Sequence, residues 1–343
     1  MMATSQFWDL GPVGVRGMFE APYRAQQVMD WARRAVVDPQ AMHNVPRAVR
    51  EKLIDSGGLL PLELRAELQS RDGSRKYLFE GPAGEFEAVW MPFADHATLC
   101  VSSQAGCRMG CAFCATARLR EASNLSVGEI VGQLLHARAQ GHPVDRIVFM
   151  GMGEPMANYA HVSQALQWFT DPAPHGFGMS AQRITVSTVG YLPQLDQFWQ
   201  EQRAHLAISL NGYDNASRQA WMPVGQNWSF DKLVDWARAR DIRANGRRVT
   251  FEYILSGGHT DSVAGARALG QALRGSNLRV NLIPWNAWGA GDIAPTSEGA
   301  IDRFMTELGQ HGVVATVRRS RALDIAGACG QLANTGREAL TVQ

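Results

Sequence analysis

Nowhere does this chain approach the run of about 18 apolar residues that a membrane-spanning helix requires, and no basic stretch leading into an apolar core opens it. A membrane span and a secretory signal are therefore not expected. Charge of one sign is also missing: 33 Lys and Arg face 32 Asp and Glu, for a formal net charge of +1. No overall field steers a polyanion, so affinity for nucleic acid has to come from a local basic surface. Internal repeats and low-complexity tracts are absent, which sets aside solenoids and disordered linkers. Cysteine is sparse and odd in number, five in all, which suits reduced thiols acting as ligands or reactants better than a disulfide framework. The expectation is a cytoplasmic protein. With 343 residues and 45% hydrophobic composition, the chain can hold one large α/β domain and a smaller attachment.

What is present begins with helical spacing. From Ala21 to about Ser56 apolar residues recur at Val28, Trp31 and Ala32, then at Val49 and Leu53, with breaks around Asp38-Pro39 and Pro46. The segment Arg65 to Met91 alternates instead. Asp72-Gly73 stands as a hairpin turn between Leu68 and Tyr77-Leu78-Phe79, and Phe86, Ala88 and Trp90 follow at period two. A short β-layer is expected to lead into the core. Beyond it, strands are predicted at Thr98–Ser103, Ile147–Met150, Ile184–Ser187, Leu206–Leu210, Val249–Leu255 and Val280–Pro284, alternating with amphipathic helices. Such βα units imply a parallel sheet curled into a partial barrel, with functional residues at the strand C-terminal ends. A further strand at Val313–Arg318 leads to a tail bearing Cys329.

The most informative stretch is Gly-Cys-Arg-Met-Gly-Cys-Ala-Phe-Cys-Ala-Thr, residues 106–116, in which Cys107, Cys111 and Cys114 are spaced C-x3-C-x2-C. Three thiolates so close in sequence can satisfy three irons of a cubane cluster and leave the fourth open to a ligand. A structural zinc site usually pairs two C-x2-C knuckles and needs a fourth ligand, which no neighbouring His or Cys supplies. Unpaired thiols are the remaining plain reading.

With an aromatic before its last Cys, this triplet resembles the radical S-adenosylmethionine (SAM) signature, in which SAM occupies the open iron through its amino and carboxylate groups. The likeness extends to Leu-Cys-Val-Ser-Ser-Gln-Ala-Gly-Cys (99–107), Phe-Met-Gly-Met-Gly-Glu-Pro (149–155) and Ile-Thr-Val-Ser-Thr-Val-Gly (184–190). It continues through Arg-Arg-Val-Thr-Phe-Glu-Tyr (247–253), Val-Asn-Leu-Ile-Pro-Trp-Asn (280–286) and Ala-Cys-Gly-Gln-Leu (328–332). Running in order from about residue 22 to 332, these segments together resemble the RlmN/Cfr family of RNA adenine methyltransferases. The implied architecture is a partial (β/α)6 radical SAM barrel. Its divisions are an N-terminal helical unit of RNA-binding type (1–60), a β-hairpin layer (61–92), a radical SAM core (93–323) and a tail carrying a methyl-bearing Cys (324–343).

The resemblance assigns roles that single residues do not announce. Cys107, Cys111 and Cys114 hold a [4Fe–4S] cluster. In Gly151-Met152-Gly153-Glu154-Pro155, whose plain reading is a tight βα connection, Gly153 lets the backbone approach a ligand and Glu154 accepts from the SAM ammonium. Ser187, Ser209, Leu210, Asn211 and Asn286 match the other SAM contacts. Cys329 and Cys100 alone read as small buried hydrophobes and Glu87 as an exposed strand residue. By resemblance all three are catalytic. Aromatic adenine carbons are electrophilic, so polar transfer from a sulfonium fails and the methyl has to arrive as a radical. Cys329 first takes a methyl by displacement. A 5′-deoxyadenosyl radical from a second SAM then abstracts hydrogen from it, and the methylene radical adds to adenine. Cys100 attacks Cys329 to release product, leaving a transient disulfide, with Glu87 as proton acceptor.

Two departures stand out. Asn211 replaces the family's usual His, with SAM binding there expected to persist through the backbone, and Ser123 replaces an Arg in the loop 115–125, expected near substrate. Arg318, Arg319 and Arg321, with Arg247 and Arg248, are candidates to meet phosphates, and Arg33, Arg34, Arg47 and Arg50 of the helical unit add to them. The expected partners are RNA (ribosomal, with transfer RNA as a second candidate), an electron donor such as flavodoxin, and a thiol reductant. Rival readings are a divergent radical SAM methylase of another substrate and an iron–sulfur RNA-binding protein without turnover, which needs neither Cys329 nor Cys100.

Overall fold

Alternating side chains in the first third of the chain build an antiparallel meander that grows directly into a parallel sheet. The structure, a computed structural model, describes residues 5–119, 121–240, 246–289 and 293–333; Arg120 and residues 334–343 of the tail lie outside the described residues. The chain opens with two short helices, α1 (Gln6–Asp9) and α2 (Gly11–Gly14), followed by α3 (Tyr23–Arg33) and α4 (Arg47–Asp55). Strands β1 (Glu63–Gln69), β2 (Arg75–Gly81), β3 (Gly84–Pro92) and β4 (Ala97–Cys100) then pair in sequence, each antiparallel to the last. Two-residue strands β5 (Gln104–Ala105) and β6 (Ser123–Asn124) pair separately, closing the base of the loop that carries the three cysteines.

From β4 onward the pattern is βα repetition. The elements are α5 (Val127–Ala139), β7 (Arg146–Phe149), α6 (Tyr159–Thr170), β8 (Ile184–Thr188), α7 (Leu192–Glu201) and β9 (His205–Ser209). They continue with α8 (Asn215–Trp221), α9 (Phe230–Arg238), β10 (Val249–Gly257), α10 (Val263–Leu273) and β11 (Arg279–Pro284). A two-residue β12 (Ala294–Pro295), α11 (Glu298–Gln310) and β13 (Val314–Val317) complete the core. The main sheet runs β1-β2-β3-β4-β7-β8-β9-β10-β11-β13, and every pair from β4 to β13 is parallel. The partial barrel expected from the strand spacing is therefore the fold observed. Its β-layer is not separate: β3 and β4 pair through Val89↔Cys100 and Trp90↔Leu99, so layer and barrel share one sheet.

Strand bounds lie close to those read from the apolar runs because parallel strands are covered on both faces and read as near-continuous apolar segments. Leu99, Ile147, Val186, Ile208, Phe251 and Leu282 are all fully buried or nearly so. Helices α1 and α2 were not legible, being too short to show a period. Two aromatics hold the first: Phe7 and Trp8 are fully buried, Trp8 meets Trp168 of α6 edge-on at 4.9 Å, and Trp168 Nε1 donates to Trp8 O at 2.9 Å. Among the described residues no helix is long and apolar enough to cross a membrane.

At the C-terminal ends of β8 and β9 one buried cation gathers the chain. Arg218 of α8 is fully buried; its guanidinium donates to Ser209 O and Leu210 O at 2.6 Å each, to Val189 O at 2.5 Å and to Trp228 O at 2.8 Å. Burial pulls its pKa down to about 10, which still leaves it charged at neutral pH. The planar fork matches carbonyls from three segments at once, a task a lysine ammonium performs poorly. Arg218→Lys should therefore cost about 3 kcal/mol of stability, read by urea denaturation. A variant as stable as the parent would show that the carbonyls find other partners.

Candidate active site

The loop after β4 is shaped by two left-handed glycines. Gly106 (φ +84°) immediately precedes Cys107, and a Cβ there would stand 1.9 Å from Glu121 O; Gly110 (φ +68°) immediately precedes Cys111. The Phe113 carbonyl, between Cys111 and Cys114, accepts from Trp285 Nε1 at 3.1 Å and Trp288 Nε1 at 2.8 Å. Phe113, Val189, Met222 and Trp285 form a small apolar cluster of their own, with Cys111 and Cys114 packed against it. The cysteine loop is thus held rigidly and partly shielded from water.

Cys107, Cys111 and Cys114 line one cavity at the barrel's C-terminal end, shared with Gly153, Glu154, Ser187, Ser209, Asn211 and Cys329. Nine of the residues singled out in the sequence are thereby brought together. Burial pushes the Cys107 thiol up to about 12 and that of Cys111 well above its ordinary value, with the neighbouring thiols adding to both and Arg218 easing Cys111 slightly. Burial also raises Cys114, against hydrogen bonds from Thr116. Three mutually repelling thiolates need a cationic centre to stay ionised. Among the described residues no three His, Cys, Asp or Glu side chains stand close enough to close on a single ion. An all-sulfur, three-ligand set facing a cavity fits what an iron–sulfur cluster with one open iron would need.

Glu154 is buried and rich in partners. Its Oε1 accepts from Thr188 Oγ1 at 2.5 Å and Met156 N at 3.0 Å, and its Oε2 accepts from Val189 N at 2.9 Å. Burial outweighs these bonds and pushes its pKa up to about 7. Gly153 (φ +98°) admits no side chain, since a Cβ would lie 2.5 Å from Gln104 Cβ. Asn211 adopts φ +44°, a conformation asparagine tolerates better than most residues. Its Oδ1 accepts from Ile254 N at 2.9 Å, so the side chain joins β9 to β10. Leu210 lies fully buried outside the cavity lining, with its carbonyl on Arg218. Asn286 likewise lies outside it, and its amide donates to Cys329 O at 2.9 Å.

A second cavity begins where the first ends. Cys329 lines both, and Cys100, Arg318, Arg319, Arg321 and Phe93 line the second. All five cysteines are free. Burial, then the charge of Cys329, pushes the Cys100 thiol up to about 12, while Arg318 pulls it down. Arg318 is in turn raised by the negative charges of Cys329, Glu252 and Cys100. From the sequence this guanidinium, beside two thiols and a buried carboxylate, reads only as a phosphate contact, and Glu252 as no site residue. Its signal was an acidic residue inside an otherwise apolar strand.

Glu87 and Arg247 meet a geometry different from the one expected, and Ser123 keeps an open position. Glu87 lines neither cavity: it is fully buried, its Oε1 2.9 Å from Lys76 Nζ, and its Oε2 accepts from Ala333 N at 3.0 Å. Ser123 stands exposed in β6 opposite Ala105, open to a substrate but outside both cavities. Arg247, expected at phosphates, is buried with its guanidinium 3.7 Å from the Trp199 ring and donating to Trp199 O at 2.6 Å, whereas Arg248 is exposed.

Comparison with known proteins gives the family of the chain. The radical SAM superfamily model matches residues 101–265. The dual-specificity RNA methyltransferase RlmN of Anaeromyxobacter dehalogenans is 39% identical over 333 residues, covering 94% of this chain and 89% of that protein. Its counterpart from Syntrophotalea carbinolica is 41% identical over 319 residues, covering 92% and 85%. The crystal structure of a radical SAM methyltransferase from Sphaerobacter thermophilus superposes with a TM-score of 0.90 at 37% identity, covering 97% of this chain and all of that one. Identity at this level along almost the full length, on a barrel that presents three cysteines beside a lone fourth, makes this chain a member of the RlmN family of radical SAM methyltransferases.

Proposed function

We propose that this protein methylates an aromatic carbon of adenine in RNA, ribosomal RNA foremost and transfer RNA as a second substrate, with Cys329 as the covalent methyl carrier. One observation carries the reading: Cys329 stands in the wall between the cavity of the three cysteines and the cavity of Cys100. Held by Cys107, Cys111 and Cys114 and by the strand-end residues Gly153, Glu154, Ser187, Ser209 and Asn211, a [4Fe–4S] cluster and SAM supply the methyl group and the one-electron chemistry.

The chain's own residues do the rest. Arg318 lies beside both sulfurs, and its charge opposes the effect of burial on the Cys100 thiol. Cys329 holds the methyl carbon as a thioether and carries it to the base on the far side of the wall. Cys100 then bonds to the Cys329 sulfur as the sulfur–carbon bond breaks; the bonding pair and a proton pass to the departing methyl carbon. The resulting disulfide is reopened by a thiol reductant, and a small electron donor such as flavodoxin resets the one-electron step. Both belong to a reducing compartment such as the cytoplasm. Glu87, buried and outside both cavities, holds the tail in place by accepting from Ala333 N.

Replacing Cys100 by Ala removes the only step that frees the product. The variant expressed in cells should migrate as a ribonuclease-sensitive adduct on denaturing electrophoresis, with Cys329 joined through one carbon to an adenine. Normal turnover by Cys100→Ala, with its cluster intact, would contradict this role. The Glu154 carboxyl supplies a second check. Protonated below about pH 7, it offers no charge to an ammonium; ionised above, it does. SAM affinity of the cluster-loaded protein, measured calorimetrically, should rise about ten-fold between pH 6 and pH 8 and lose that dependence in Glu154→Gln. A parent protein whose affinity is flat over this range would remove Glu154 from the ammonium site.

A further inference from the structure

Phe93 occupies the turn between β3 and β4, where its N–H donates to His96 O at 2.8 Å. A phenylalanine gains nothing from water, yet 42% of this one is exposed. Its ring lies parallel to the His96 imidazole, with centroids 4.7 Å apart and planes 6° apart. The Arg321 guanidinium stands 5.0 Å from the same ring and is itself fixed by donating to Asp72 O at 2.5 Å, in the turn between β1 and β2. Two hairpin turns thus hold a stack of planar groups in place before any ligand arrives, which lowers the entropic cost of binding.

The position of that stack gives it meaning. Phe93 and Arg321 border the cavity that reaches Cys100 and Cys329. Phe93 and His96 also border a wide polar groove, where Arg146, Arg183, Arg248 and Arg279 outnumber Asp95, Asp145 and Glu252. Those arginines stand at, or just before, the first residues of β7, β8, β10 and β11. An exposed aromatic stack beside a basic groove matches one ligand chemistry, a strand of planar bases on an anionic backbone with its bases unpaired.

Resting on the RNA methyltransferase reading above, we infer that the Phe93–His96 stack is a base-stacking platform at the RNA entrance. A nucleobase neighbouring the target packs on it, the groove arginines meet the phosphates, and the target adenine passes Phe93 to reach Cys329. This surface supplies the local basic patch that a net charge of +1 requires.

The test is fluorescence anisotropy of the cluster-loaded protein with a labelled stem-loop RNA carrying unpaired adenines. Phe93→Ala should weaken binding about ten-fold, and Phe93→Tyr, which keeps the ring, should bind within about two-fold of the parent. Cluster absorbance unchanged in both variants reports that they fold. Equal affinity of parent and Phe93→Ala overturns the platform, as does a Tyr variant no better than the Ala variant. A parent protein that binds the stem-loop but never methylates RNA overturns the reading of the reaction and leaves the affinity comparison standing.

Discussion

The structure depends on the clamp that holds an irregular tail against the cysteine loop. The segment around Cys329 has almost no secondary structure to fix it, so its backbone groups are satisfied from outside. Asn286 takes the Cys329 carbonyl, Ala115 N donates to Gly330 O at 2.7 Å, and Thr116 Oγ1 donates to Leu332 O at 2.6 Å. Gln331 Nε2 donates to Ala287 O at 2.7 Å, and Glu87 accepts from Ala333 N. Ala115 and Thr116 directly follow Cys114, so the cysteine loop and the segment bearing Cys329 are positioned by the same few bonds. That coupling fixes Cys329 in the wall between two cavities, the position the proposed carrier role requires.

Charge compensation is the second constraint. Thiols and carboxyls buried at one end of a barrel resist ionisation, and the shifts at Cys107, Cys111, Cys100 and Glu154 all run in the direction burial dictates. Two arginines, one fully buried and one half-buried, answer them. Arg218 ties the ends of β8 and β9 while facing Cys111, and Arg318 faces Cys100, Cys329 and Glu252. At the three-cysteine site the proposed metal cluster would bring the positive charge still lacking. Fold and cofactor therefore solve one electrostatic problem together.

Local features of the sequence carried the barrel and the cysteine triplet. Parallel strands declare themselves as short apolar runs, and C-x3-C-x2-C brings its ligands together within a single loop. What stayed hidden depends on contacts between distant residues. Arg247 reads as a surface base beside Arg248 until Trp199 is brought against it. Glu87 reads as an exposed strand residue, and only the pairing of β2 with β3 sets Lys76 beside it. Asn286 is expected at SAM only through the family resemblance, and the bond of its amide to the Cys329 carbonyl is a pairing no spacing rule encodes. Arg218 belongs to a short helix whose role appears only when three carbonyl-bearing segments converge.

The central claim is that Cys329 carries the methyl group before any RNA is present. Peptide mass spectrometry of the segment containing Cys329, from cluster-loaded protein purified free of RNA out of SAM-replete cells, reads this directly. The account predicts one methyl group on the Cys329 sulfur and none on Cys100, Cys107, Cys111 or Cys114. An unmodified Cys329 in protein that nevertheless methylates RNA would contradict it.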